Sequence, residues 1–241
     1  MGADAAVAAV FEPVRTATTF EETVDRLGTA IRLGILAPAS RLPSERELAE
    51  QLGISRSTLR QAITALVESG HLTSVRGRTG GTFVVPEPPL AEASVGPLPE
   101  GWREVLDMRI AVEVGAVALA AERIDAQGLV VMREAVARMD AATDFEEYRR
   151  ADVRFHIEIA RATGVPRLVA LMTEVQADVT ELMAHTAHPR QVLRHSNADH
   201  LRVIESLDRR DVARAVRVLH LHLAGTEHIL SGLMPGGPHP G

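Results

Sequence analysis

The stretch ADVRFH (residues 151–156) sets an aspartate and a histidine four residues apart, Asp152 and His156, among the apolar residues Val153, Phe155, Ile157 and Ile159. On a helix the two side chains stand one turn apart on one face. A carboxylate beside an imidazole is either an ion pair or half of a metal site. Two more histidines bear on the choice, His200 in NADHLRVIESL and His222 in AVRVLHLHLAG. Their segments are joined by a short DRRD link and should run antiparallel, with His200 about eight residues before the turn and His222 about twelve after it. At a helical rise of about 1.5 Å per residue, the two reach similar heights. One carboxylate and three imidazoles meeting inside a bundle would bind a divalent transition metal. The plainer account is a solvated Asp–His pair and hydrogen-bonded core histidines, and spacing alone leaves both open. His185, His188 and His195 in AHTAHPRQVLRH read as a solvated helix-end cluster or a second, weak metal patch. His220 and His228 read as packing or surface residues.

The elements that must hold these side chains are helices. Apolar residues recur at three- and four-residue spacing through the C-terminal half, as in Leu168, Leu171, Met172, Val175, Val179 and Leu182. The pattern predicts six helices, near 101–123, 127–141, 145–162, 166–186, 189–208 and 210–231, with breaks at Gly128, Asp144, Gly164 to Pro166, Pro189 and Asp208 to Asp211. They make an all-α bundle over 101–232. Five prolines in VPEPPLAEASVGPLPE mark 87–100 as a linker, and MPGGPHPG makes 233–241 a disordered tail.

Residues 1–86 read differently. TFEETVDRLGTAIRLGIL is amphipathic, with Val24, Leu27, Ile31 and Leu36 on one side. Ser44 and Glu47 have the spacing of a capping box, and Gly53 can close that helix in the left-handed region. Ser55 caps the next helix and Gly70 ends it, so LGIS is the turn of a helix-turn-helix. Leu72 to Val85 alternates and carries Gly77, Gly80 and Gly81, the pattern of a hairpin wing. The fold class expected is mainly α, an N-terminal extension and winged helix-turn-helix followed by a helical bundle.

Composition narrows the function. The 241 residues suit one large or two ordinary domains, and 46% hydrophobic with only 3% aromatic residues requires an aliphatic core. There is no cysteine, which excludes disulfides and thiolate ligands and fits a cytoplasmic protein. No apolar run approaches the roughly 18 residues of a membrane span, and the N-terminus lacks the basic start of a signal peptide. The net charge of −6 does not point to nucleic acid, yet Ser40 to Val85 holds six arginines against four acids. Arg56 and Arg60, with Ser55, Ser57 and Thr58, open the second helix of the motif, where recognition helices meet base edges and phosphates. Arg76 and Arg78 stand at the wing tip.

The segment LPSERELAEQLGISRSTLRQAITALVESGHLTSVRGRTGGTFVV resembles the winged-helix domain of GntR-type transcriptional regulators, over most of residues 20–85. In the FadR-like subgroup this resemblance implies DNA contacts by Arg46, Arg56 and Arg60 and a minor-groove approach by Gly77. Ala39 in LAPASRLP stands where the family usually has glycine. The C-terminal half resembles the FCD domain: DVRFH, HLRVI and DVARAVRVLHLH match its Asp-x-x-x-His and two later histidines in order, and DMRIAVEVGAVALAAERI resembles its first helix. The resemblance implies Asp152, His156, His200 and His222 as ligands, with His222 rather than His220 chosen by its distance from Asp211. One aspartate with three histidines suits zinc, nickel or manganese, and the resemblance implies a small carboxylate effector paired with Arg109, for which a salt bridge to Glu113 is the rival reading. Where the family often has asparagine, this chain has Val165, which bears on effector choice if that position shapes the pocket.

The expectation is a transcriptional regulator, most often a repressor in this family, binding a palindromic operator as a homodimer and controlled by a carboxylate metabolite. A metal-dependent hydrolase is the alternative, weakened by the lack of a placed general base or a His-Glu-x-x-His motif. An architectural DNA binder without an effector is the third reading.

Overall fold

The structure, a computed structural model, describes residues 10–11, 18–77, 80–88 and 98–233. Most of the N-terminal extension, wing residue Arg78, most of the expected linker and the tail lie outside these residues. The chain divides into two compact units, one of residues 1–98, 185–192 and 225–241, the other of 99–184 and 193–224. Among the described residues, no helix is long and apolar enough to cross a membrane.

The first unit is built on α1 (Thr19–Arg32), α2 (Glu45–Leu52), α3 (Arg56–Glu68), β1 (Leu72–Val75) and β2 (Gly81–Val84). The residues placed on one side of α1, Val24, Leu27 and Ile31, are buried together with Leu36, and they pack with Leu59 and Leu66 of α3. Each such leucine or isoleucine side chain removed from water contributes about 1.5–3 kcal/mol. The capping box of α2 forms: Glu47 N–H donates to Ser44 Oγ, and Ser44 N–H donates to Glu47 Oε2 at 3.1 Å. Gly53 closes α2 at φ 66°, and Ser55 accepts from Thr58 N–H at 3.0 Å to start α3. The strands pair antiparallel with Leu72 opposite Val84 and Val75 opposite Gly81, and Arg41 bridges to Phe83 at the edge. The winged helix-turn-helix expected from the sequence is present.

The second unit holds α4 (Trp102–Arg123), α5 (Ala126–Ala141), α6 (Phe145–Ala162), α7 (Pro166–Met183), most of α8 (Arg190–Asp208) and the first half of α9 (Val212–Leu233). Its core is aliphatic, with Phe155 and Tyr148 as aromatic members. Helix α6 packs on α4, α5 and α7, so the Asp152/His156 face is enclosed. Gly128 is not a break: Asp125 caps α5 by accepting from Gly128 N–H at 2.8 Å, and the glycine lies inside the first turn. Helix α7 stops at Met183, three residues before its expected end, and leaves His185 and His188 in the connection to α8.

The C-terminal end of α9 belongs to the first unit and meets α1 backbone to backbone. A Cβ on Gly28 would lie 1.9 Å from Gly232 O, and one on Gly232 would lie 2.4 Å from Asp25 Cα. Ile229 and Leu233 enter the first unit's core there, and His228 Nδ1 lies 3.1 Å from Asp25 Oδ2. His228 is thus a helix-pairing residue.

Candidate functional site

Four helices of the second unit bring donors to one place. Helix α6 supplies Asp152 and His156, α8 supplies His200, α9 supplies His222, and α4 adds Arg109 and Glu113. Asp152 Oδ1 lies 3.7 Å from His156 Nε2 and 3.4 Å from His200 Nε2. The Nε2 atoms of His200 and His222 are 3.2 Å apart. One ring nitrogen from each of the three histidines falls within 4.8 Å of the others. His156 and His200 are fully buried, and the Phe155 ring packs 4.4 Å from that of His200. His220, the rival of His222, is exposed on the other side of α9.

The protonation states suit ligation. Burial above all, reinforced by the neighbouring histidines and Arg109, holds His200 and His222 well below the usual imidazole range, so both are neutral. Burial works against charge on Asp152, but His156, Arg149 and Arg109 outweigh it and keep the carboxyl below its usual range, ionised. Neutral imidazoles beside a carboxylate are a donor set that divalent transition metals take. His200 Nδ1 is buried without a hydrogen-bond partner among the described residues.

A polar network surrounds these donors. Arg149 pairs with Asp152 and donates to Gln176 Oε1 at 2.8 Å and to Thr180 Oγ1 at 3.0 Å. Tyr148 Oη donates to Asn197 Oδ1 at 3.0 Å, which ties α6 to α8 one turn from Asp152 and from His200. Arg109 makes the salt bridge to Glu113 that was the rival reading. Its Nε donates to Glu113 Oε1 at 2.8 Å, and its Nη2 lies 3.2 Å from His156 Nε2. Glu113, fully buried, also faces His156 Nδ1. Burial resists its charge, yet His156 and Arg109 together pull its carboxyl down to about 2. Arg149, Gln176, Asn197 and the His156 side of Glu113 were not legible as site residues, because each meets the cluster from another helix at no fixed sequence spacing.

Two expectations fall elsewhere. Val165 is the N-cap residue of α7 and lines a shallow surface cavity of about 380 Å³ with Arg161, Gly164, Pro166 and Val169, so it shapes a helix start and not the buried cluster. His185, His188 and His195 do not group with one another as ligands among the described residues.

In the first unit Ser55, Arg56, Ser57 and Arg60 are exposed around the start of α3, and Thr58 is half-buried. Ser55 Oγ lies 2.7 Å from Ser57 Oγ and 2.8 Å from Thr58 Oγ1. Arg60 pairs with Glu45 at 2.9 Å and Arg46 with Glu50 at 3.0 Å, both at the surface. Such exposed pairs contribute about 0–1 kcal/mol, so either guanidinium can turn to a phosphate at little cost. Arg76 is exposed at the wing, and Gly77 has φ 115°, a conformation that favours glycine, with nothing within 4 Å of where a Cβ would stand. Arg41 Nη2 donates to Gly80 O at 2.6 Å and braces the wing.

A winged helix with an arginine-bearing second helix, followed by a helical bundle enclosing a histidine–carboxylate cluster, defines a DNA-binding regulator. Comparison with known proteins gives the family. Residues 19–84 match the bacterial regulatory proteins of the gntR family and residues 104–225 match the FCD domain. The chain belongs to the GntR family of transcriptional regulators with an FCD domain, and its relatives are regulators rather than enzymes. It is 32% identical to the HTH-type transcriptional regulator RmpR of Mycobacterium gastri, across 83% of this chain and 76% of that protein. It is 30% identical to an L-lactate dehydrogenase operon regulatory protein of Escherichia coli K12, across 85% of this chain and 83% of that protein. The solved structure of E. coli McbR/YncC shares the fold at a TM-score of 0.51 and 23% identity, covering 90% of this chain and 98% of that one.

Proposed function

We propose that this regulator is a homodimeric, cytoplasmic repressor that reads a palindromic operator and is controlled by a small carboxylate at a metal site. Asp152, His156, His200 and His222 are the metal ligands, and zinc, nickel or manganese suits one carboxylate with three imidazoles. The metal, when bound, supplies a cationic centre with positions left for an effector oxygen. Arg109, whose Nη2 faces the cluster, offers the effector a second, bidentate partner. Arg109 is 2% exposed, so an effector reaches it only when the bundle opens locally. The E. coli relative named for an L-lactate dehydrogenase operon supports a carboxylate, because lactate is one. DNA is read by Ser55 at the N-cap of α3 and by Arg56, Ser57, Thr58 and Arg60 within it, with Arg46 and Arg76 beside them and Gly77 at the minor groove. The expected domain limits, 1–86 for the head, 87–100 for the linker and 101–232 for the sensing and dimerising half, go with this reading. The effector acts only by binding the DNA-competent and DNA-incompetent arrangements unequally.

The observation that carries the sensing half is the convergence of one ring nitrogen each from His156, His200 and His222 within 4.8 Å, with Asp152 Oδ1 at 3.7 Å and 3.4 Å from the first two. Its test is metal content after zinc loading: the wild type holds zinc and His156→Ala does not. Full occupancy in His156→Ala removes the site as drawn. For the head, a duplex selected by the wild type from a randomised pool is titrated by anisotropy. Arg56→Ala and Arg60→Ala each weaken binding by about 1–3 kcal/mol if they read bases, and a phosphate contact instead lowers the salt slope by about 1. Unchanged affinity and salt slope in both would overturn the assignment. A thermal-shift screen of small carboxylates, with and without chelator, separates the sensing regulator from a binder that lacks an effector.

A further inference from the structure

Glu113 is the most enclosed acid of the bundle, and the four ligand positions do not include it. Its two oxygens are divided. Oε1 accepts from Arg109 Nε at 2.8 Å and from Gln176 Nε2 at 2.7 Å, while Oε2 lies 2.5 Å from His156 Nδ1. An ionised carboxylate only accepts. His156 must therefore carry a proton on Nδ1, since a bare Nδ1 lone pair would face a carboxylate oxygen at that distance. With the proton there, Nε2 keeps its lone pair, which accepts from Arg109 Nη2 at 3.2 Å and lies 3.7 Å from Asp152 Oδ1, so a bound ion takes the place of that arginine contact. The other two rings are held less firmly. His222 Nδ1 is 4.0 Å from Asp199 Oδ2, and His200 Nδ1 has no hydrogen-bond partner among the described residues.

The acid is itself held from a third helix. Gln176 turns its amide nitrogen to Glu113 because Arg149 donates to the amide oxygen at 2.8 Å, and the same arginine pairs with Asp152. Both ligands contributed by α6 are thereby oriented through groups on α4, α6 and α7.

We propose that Glu113 is the positioning residue of this centre: it fixes His156 as the Nδ1–H tautomer, aims Nε2 at the ion and sets the metal affinity. The proposal rests on reading Asp152, His156, His200 and His222 as metal ligands. A carboxylate behind a ligating histidine fixes the ring and raises its basicity, and losing it typically weakens metal binding about 10–100-fold.

The full-length chain carrying Glu113→Gln is compared with wild type by two measurements. Long-range proton–nitrogen NMR reads the His156 tautomer, and competition with a chromophoric chelator reads zinc affinity. Glu113→Gln should populate both His156 tautomers and bind zinc about 10–100-fold more weakly, at unchanged helical content by circular dichroism. Because a buried Arg109 then lacks its charge partner, the double variant Arg109→Met/Glu113→Gln, which removes both charges, serves if the single variant does not fold. A pure Nδ1–H tautomer with wild-type zinc affinity in the folded variant overturns the inference and leaves the ligand assignment standing. A wild-type chain that takes up no zinc overturns both.

Discussion

Ala39 sits at φ 59°, where the Cβ of an L-residue meets the following carbonyl at a cost of about 1–2 kcal/mol. A glycine here would avoid that strain, and Ala39 N–H still donates to Val84 O at 3.1 Å. Ala39→Gly should stabilise the first unit by about 0.5–1 kcal/mol after the entropy cost of glycine, read as a higher urea midpoint with an unchanged slope. At the same scale, Asp152 and His156 were legible because a fixed four-residue spacing on a helix makes a face. Glu113 was legible only as the partner of Arg109, also four residues away. Its second role, against His156, joins positions on different helices, and no local period encodes that.

At the scale of elements, four helix starts follow from capping. Ser44, Ser55, Asp125 and Asp144 each accept a backbone N–H at the start of their helix. Helix α7, like α1 and α4, has no side-chain cap, and Val165 stands at its N-cap. Val165→Asn should therefore stabilise the second unit by about 1 kcal/mol, and thermal melts check it. The close approach of α1 and the end of α9 makes the opposite prediction. Gly28→Ala or Gly232→Ala forces a Cβ into backbone, and each should cost about 1–3 kcal/mol by denaturant unfolding. That contact escaped the sequence reading, since glycine inside a helix reads only as a weak helix former.

For the whole molecule, the buried histidines make stability depend on pH. Unfolded, His200 and His222 take up protons near pH 6.5; folded, they stay neutral to well below it. Below pH 6.5 the unfolded chain binds more protons, so stability falls as pH drops, at up to roughly 2.7 kcal/mol per pH unit while both sites differ. Glu113, held at about 2, extends the loss in the same direction below its ordinary 4.5. The melting temperature should decline from pH 7.5 to 5 in wild type, and more gently in His200→Leu/His222→Leu. Added zinc should raise it at neutral pH and fail at acid pH, where protons compete for the same nitrogens.

Residue order by itself determined the class of fold, the helices, the capping box, the turn and wing, and the four donors. These depend on contacts within about one turn or one hairpin, and a linear pattern records them. Tertiary structure alone decided that the three histidines converge with Asp152 beside two of them, that Arg109 both pairs with Glu113 and faces His156, that Gln176 and Arg149 hold the acid in place, and that α9 ends against α1. Each of those depends on the distance between elements, which packing sets and no spacing along the chain can express.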